Sequence, residues 1–477
     1  MNRPFIPSTG VEERFAWLSH FPHGSGNERP LSDAIRGLAI KAGLESVQDE
    51  MGNLLVRKSA APGCEGRPAV ALQAHLDMVC TKEPGCEHNF LTDPLKLAVD
   101  EDGWLCAEGT SLGADDGYGV AYMLELMRAK DVQHPDLELL FTVQEEIGLI
   151  GAARFDVAQL RARRMISMDS GGETVTTVST CGGRRITLSL PMRPSAVQGE
   201  AFRIEVSGLT GGHSAGEIHR GRGNAIKLLG HVLMGLEGCS AALLRAHGGE
   251  AANAIPRQAW AEILIPADRA GALGETFDVL REQLIKLYRP TDPSIELTLT
   301  PLGASEGPGY ALDAARLLVA LPDGVRAMDP QRAGVVALSD NVGTLETADG
   351  VLRTQCMIRS ASPEWRELLS QQILAVGGAF GASCATDSDY PGMEYAPESA
   401  MRGLLAQVVR EEFGAELTEE AAHGGMEIGY FSRSVPGLDI VTLGPLSEGC
   451  HSPSEKLKLE SFNRMYRVLT KLLERVQ

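Results

Sequence analysis

Glu145 and Glu146 stand side by side in FTVQEEI, at the end of the apolar run Leu139-Leu140-Phe141-Thr142-Val143. Neighbouring carboxylates repel, and burying an unpaired charge is costly. The pair is therefore either a solvated loop or faces something strongly positive. Other ionisable residues recur at comparable places: His75 and Asp77 two apart in QAHLDM, Asp115 in SLGADDG ahead of a helical pattern, Asp169 in ISMDS, and His451 in GCHSPSEK. Each has an ordinary explanation alone, as a hydrogen-bonded histidine, a helix N-cap or a solvated acid. Together they form a credible metal site, because zinc takes imidazole nitrogen and carboxylate oxygen. Two zinc ions would be nearly balanced by Asp115, Glu146, Asp169 and one bridging hydroxide, with both histidines neutral and Glu145 left over as a base.

Such a site needs strand ends to carry it. Asn53–Arg57 and Val70–His75 read as strands, as do Leu137–Val143 and Met165–Met168, while apolar residues at helical spacing mark a helix over 117–130. Strands alternating with helices predict an α/β layered sheet, and open sheets of that kind place ligands at the C-terminal ends of their strands. From about residue 186 the pattern changes to period two, in Ile186–Leu190, Phe202–Val206 and Gly350–Ile358, followed by a helix over about 363–376. Apolar segments resume at Asp439–Gly444, and an amphipathic helix over about 459–476 ends the chain. The expected organisation is an α/β domain in two parts, 1–185 and 389–477, interrupted by an α+β domain over 186–388. There is no tandem repeat.

A chain of 477 residues is long for one core, so more than one domain is expected. Its net charge of −19 argues against nucleic acid and anionic membranes as partners, since both are bound through excess Lys and Arg. The sequence offers no membrane-spanning run and no signal-peptide pattern at its start, and the nine cysteines include no C-x-x-C, so a cytoplasmic protein with reduced thiols is expected. Cys80 and Cys450, beside the candidate residues, are expected to be buried thiols.

The segments AHLDMV, LGADDGYGVA, QEEIGLIGA, MDS, SGLTGGHSAGEIH, NAIPR and CHSPSEK together resemble the cytosolic Xaa-His dipeptidases, members of the co-catalytic zinc exopeptidases. The resemblance implies a three-layer α/β catalytic domain with a mixed, mostly parallel sheet, interrupted by an inserted α+β lid and dimerisation domain. It implies hydrolysis of unblocked dipeptides such as Xaa-His, two Zn²⁺ per subunit with Mn²⁺ or Co²⁺ as substitutes, and a homodimer. By the same resemblance Asp115 bridges the metals, one of which adds His75 and Asp169 and the other Glu146 and His451. Asp77 holds the His75 imidazole, and Glu145 is the general base that serves an attacking hydroxide. Asp116 is the competing bridge if the register slips by one. His213 would donate to the oxyanion, and Asn253 and Arg359 would grip the substrate backbone or carboxylate, for which bidentate Arg geometry is suited.

Three other readings remain. An amidohydrolase acting on N-acyl or modified amino acids shares the same motifs. GHSAG matches the G-x-S-x-G elbow of serine hydrolases, with Ser214 as nucleophile, although that elbow should join a buried strand directly to a helix. A catalytically silent relative would be expected to lack a ligand or the base, and every position is filled here. There is no H-E-x-x-H and no P-loop pattern.

Overall fold

The structure, a computed structural model, describes residues 3–305 and 308–477. It contains two units. Unit 1 comprises Met1–Ser179, Met393–Ala421 and Met426–Gln477, and unit 2 comprises Thr180–Gly392 and Ala422–Gly425.

Unit 1 begins with α1 (Gly10–Leu18), capped by the Thr9 hydroxyl, and α2 (Arg29–Lys41), which has a proline in its first turn. Strands β1 (Glu45–Gln48), β2 (Leu54–Lys58) and β3 (Val70–His75) follow, then α3 (Ala114–Arg128), β4 (Leu137–Thr142) and β5 (Arg164–Ser167). β3 and β4 are buried along their whole lengths, which explains why they read as continuous apolar runs rather than alternating ones. They pair parallel, from Val70 opposite Leu137 to His75 opposite Thr142, and β3 also pairs parallel with β5. His75 and the residues after Thr142 therefore leave the sheet at the same edge.

Unit 2 carries β6 (Gly182–Pro191), β7 (Glu200–Ser207), α4 (Ala225–Gly235), β8 (Ala242–Gly248), β9 (Ala259–Ile265), α5 (Ala270–Tyr288) and β10 (Glu296–Ala304). It continues with α6 (Asp313–Ala320), β11 (Val342–Ala348), β12 (Val351–Ser360), α7 (Pro363–Phe380) and β13 (Ser383–Tyr390). These strands lie in one sheet in the order β10-β7-β9-β8-β11-β12-β6-β13, all neighbours antiparallel. The order resolves into two halves of identical connectivity. β7-α4-β8-β9-α5-β10 is one β-α-β-β-α-β run, and β6-α6-β11-β12-α7-β13 is the other. They meet at β8 and β11, where His247 faces Glu346. The first half is nested inside the second, between β6 and α6. One continuous core serves both, with Ile204, Leu229 and Ile263 from the nested half and Ile186, Leu317 and Ile358 from the outer half. Burying such a side chain contributes about 1.5–3 kcal/mol.

The chain returns to unit 1 with α8 (Ala400–Phe413), β14 (Asp439–Thr442) and α9 (Leu459–Arg475). β14 completes the first sheet, β1-β2-β4-β3-β5-β14, by pairing parallel with β5. The sheet is thus mixed, with its parallel strands at the centre and its antiparallel pairs at the β1–β2–β4 side. Beyond β14, Ser447–Glu448 pairs antiparallel with Lys456–Lys458, so residues 449–455 form the loop that closes this hairpin and carries His451.

Candidate metal centre

The end of β3, the start of α3, the turn after β4 and the 449–455 loop supply one cluster in unit 1. His75 Nε2 lies 3.1 Å from Asp115 Oδ1, and His451 Nε2 lies 3.5 Å from Asp115 Oδ2. The Asp115 carboxylate thus presents one oxygen to each ring. His451 Nε2 is also 3.1 Å from Glu146 Oε1. Ligand atoms of His75, Asp115 and Glu146 all fall within 4.8 Å of one another. Asp169 follows β5, and its carboxyl is pushed up to about 7 by burial and then by Asp115. Asp116, joined to Asp115 by a cis peptide, turns away: its Oδ1 accepts the Gly119 N–H at 3.2 Å, within the first turn of the helix.

Backbone positions in this cluster are held by acids that do not face it. The Asp77 carboxylate accepts the N–H groups of Glu145 (2.9 Å) and Glu146 (3.1 Å), and the Ser25 hydroxyl donates to it at 2.7 Å. Glu28 accepts the N–H of Gln144 at 3.0 Å, so three consecutive amides end on two buried carboxylates. The His75 ring contacts Asp77 mainly through the main chain, with Nδ1 2.9 Å from the carbonyl oxygen and 3.6 Å from Oδ1. The role expected for Asp77, holding the imidazole, is shared with fixing the glutamate pair. Gln144 and His451 adopt left-handed φ values of 54° and 66°. Such backbone is sparsely populated for residues with a side chain and persists where its surroundings determine it.

The electrostatics fit a cation. Burial, with Asp169, Glu427 and Glu146 nearby, pushes the Glu145 carboxyl up to about 9. Glu427 lies at the base of the cluster, where Gln73 Nε2 (2.7 Å) and the Thr142 hydroxyl (2.5 Å) donate to it, and burial pushes it up to about 8. Asp115 and Glu146 raise His451 to about 10, and hydrogen bonds from His451 and His75 hold Asp115 low against the cost of burial. Glu146 Oε1 is buried and, among the described residues, has the His451 ring as its polar neighbour but makes no well-formed hydrogen bond. Imidazole nitrogens and carboxylate oxygens converging in a pocket that attracts positive charge are the donor set zinc takes. His75, Asp115, Glu146, Asp169 and His451 fit a divalent metal centre on these grounds.

The remaining candidates belong to unit 2. His213 is exposed; its Nδ1 accepts the Ala215 N–H at 3.2 Å, which leaves the proton of the neutral ring on Nε2, 3.3 Å from the Asn253 side-chain amide, whose oxygen must face the ring to accept it. Burial and then Arg359 lower its pKa. Arg359 is 3% exposed rather than solvated. It donates to the Ser214 hydroxyl (3.2 Å) and the Tyr390 hydroxyl (3.0 Å) and, among the described residues, has no carboxylate partner. Ser214 is buried, follows a two-residue strand and accepts from that arginine. No histidine hydrogen-bonds its hydroxyl among the described residues, so the nucleophile-elbow reading loses its base. His423 bridges Cys181 Sγ (3.1 Å) and the Ser339 hydroxyl (2.7 Å), and burial and Arg359 lower it to about 4. All nine cysteines are free. Cys80 and Cys450 are exposed, contrary to expectation, because both sit in loops beyond the sheet rather than in its core.

Residues 71–475 match the model of peptidase family M20/M25/M40. The chain is 34% identical to the cytosol non-specific dipeptidase of Escherichia coli K12 over 468 residues, 97% of this chain and 96% of the relative. It resembles the crystal structure of aminoacylhistidine dipeptidase from Vibrio alginolyticus with a TM-score of 0.91, at 30% identity over 98% of this chain and 96% of that one. A tripeptidase from Staphylococcus aureus shares the fold, with a TM-score of 0.60 at 17% identity over 98% of each chain. The family match opens inside the strand that ends at His75 and closes with α9, so the pocket residues from His75 to His451 all lie within it, and the chain belongs to peptidase family M20/M25/M40.

Proposed function

We propose that this peptidase is a dipeptidase with a dinuclear metal centre, most simply zinc, acting on unblocked dipeptides such as Xaa-His. The observation that carries the reading is the Asp115 carboxylate set between His75 and His451, one oxygen towards each. Asp115 would bridge the two ions, His75 and Asp169 would complete one, and Glu146 and His451 the other. Mn²⁺ and Co²⁺ suit the same carboxylate-rich donors. When bound, such ions polarise a carbonyl and lower the pKa of water.

Glu145 is the base in this reading. Half-buried among other acids, its carboxylate is a stronger proton acceptor than an exposed glutamate, so once bound cations favour the ionised form it would be suited to take a proton from the attacking water and deliver it to the departing amine. Asp77 keeps the Glu145 backbone in place through its amide. In unit 2, the proton on His213 Nε2 suits donation to a developing oxyanion, and the Arg359 guanidinium, with no carboxylate partner among the described residues, suits a free carboxylate, with Asn253 beside His213. We carry over from the resemblance that unit 2 acts as lid and dimerisation domain of a cytoplasmic homodimer. Light scattering on the purified protein tests the dimer. No described helix is long and apolar enough to cross a membrane.

The reading is tested with metal-stripped protein titrated with zinc, manganese and cobalt against a panel of dipeptides, including β-Ala-His, and N-acetyl amino acids. Hydrolysis of free dipeptides that returns with metal is expected. Cleavage of the N-acetyl compounds alone would replace dipeptidase with amidohydrolase.

A further inference from the structure

Glu455 follows His451 by four residues, on the same hairpin loop, and is 2% exposed. Its carboxylate makes no approach to the rings of the cluster. Instead it receives four consecutive backbone N–H groups from a segment some 340 residues earlier. Oε2 accepts from Leu112 (2.8 Å) and Gly113 (2.9 Å), and Oε1 accepts from Ala114 (2.9 Å) and Asp115 (3.3 Å). Gly113 makes the convergence possible with φ of 66°, a left-handed conformation in which successive amides turn to the same side. The last amide bound is that of Asp115, whose carboxylate meets His75 and His451.

Two physical consequences follow. First, the four amides lie ahead of the regular turns of α3, since Asp115 and Asp116 have non-helical backbone, and the carboxylate satisfies buried donors that the helix itself cannot pair. Second, one buried side chain ties the backbone of Asp115 to the loop bearing His451, so the separation of these two residues is set by a rigid four-donor grip. The loop is braced on its other side as well, where the Ser452 hydroxyl donates to the Gly449 carbonyl at 2.7 Å and the Glu455 N–H to the Ser452 carbonyl at 3.1 Å.

We propose that Glu455 is a positioning residue of the metal centre, fixing the Asp115 backbone relative to His451 so that both are arranged before any ion binds. This rests on the reading of Asp115 as a metal ligand. Partners behind the direct ligands typically cost about 10–100-fold in metal affinity or activity when removed.

The test uses full-length E455Q, E455D and D115N with zinc as probe. In E455Q the amide nitrogen faces N–H donors where a second acceptor stood. It should bind zinc about 10–100-fold more weakly in competition with a chromophoric chelator. Amide hydrogen exchange over residues 112–116 of its zinc-stripped form should accelerate while the core strands stay protected, and E455D should recover part of both losses. Wild-type zinc affinity and wild-type exchange at 112–116 in E455Q would overturn the proposal. So would a lowered Tm with zinc affinity unchanged, which marks a merely structural role. If E455Q does not fold, E455D is measured in the same two ways, and wild-type values in it overturn the proposal equally. D115N separates the two levels: should it bind zinc like the wild type, the metal-centre reading itself has failed; should it lose zinc while E455Q keeps it, only the role of Glu455 has.

Discussion

The pocket of unit 1 and the polar cluster of unit 2 shift their titratable groups by opposite fields. In unit 1, acids crowd together, so Glu145 and Asp169 are pushed up by burial and by each other's neighbours, and His451 is held at about 10. In unit 2, a buried arginine without a carboxylate partner among the described residues helps burial to lower both His213 and His423. The first environment favours cations and the second an anion. Each field would suit a different group of the proposed substrate, so each is open to its own test.

The contrast breaks most sharply at Glu145. Glu145→Gln should lower kcat by about 10²–10⁴-fold, the usual range for a lost general acid–base group, with zinc content by plasma mass spectrometry unchanged. A wild-type rate would remove the base from unit 1. Arg359→Ala should cost less, about 10–100-fold in kcat/KM and mainly through KM, for a charge-assisted contact of about 1.5–3 kcal/mol. Assays against dipeptide amides sharpen this prediction: wild type should prefer the free acid, and the variant should not. An equal loss on both substrates would mean that Arg359 does not meet a carboxylate.

Loading zinc offers a smaller, direct readout of the unit 1 field. At pH 7 His451 holds a proton, and Asp169, at about 7, holds part of one. Ligands must give these up, so zinc binding should release about one proton or more, measurable with an indicator dye in weak buffer. No release would mean that these groups are not the ligands. The smallest effect belongs to His423. Its folded pKa of about 4 lies below the ordinary 6.5, so the folded state favours the neutral ring. The corresponding stability is complete above pH 6.5 and is lost as pH falls towards 4, by up to about 3 kcal/mol. In thermal melts from pH 7 to 4.5, His423→Gln should lose less Tm than wild type. Parallel curves would place the acid sensitivity elsewhere.

Much of the candidate site was legible because it sits where short buried strands end. Val70–His75 and Leu137–Thr142 announce themselves as apolar runs, and the acids and histidines that interrupt them stand out. Ser25, Glu28, Glu427 and Glu455 were not legible as site residues. What marks them is contact with segments far away in the chain, through backbone amides for Glu28 and Glu455 and through side chains for Ser25 and Glu427, and nothing in local pattern encodes that. Nothing in the sequence marks Arg359 as buried; it is so because β12 runs between β6 and β11 and its residues near Arg359 are buried. The helix read from 117 runs regularly from there: a short turn at Ala114 precedes it, and Asp115 and Asp116 between them have non-helical backbone, with ψ of 111° and 37°. In unit 2 the period-two strands were readable, yet the paired halves were not. One half is inserted within the other, so corresponding elements never follow one another at a fixed spacing.

That nesting has a consequence for change over time. An assembly of two separate identical subunits would mirror every substitution on both sides of its axis. Here both partners of the pairing are written into a single polypeptide and can diverge independently. The nested half carries Asn253 and the outer half carries Arg359, so a change beside one need not be matched beside the other, and either half can alter while its counterpart preserves the shared sheet.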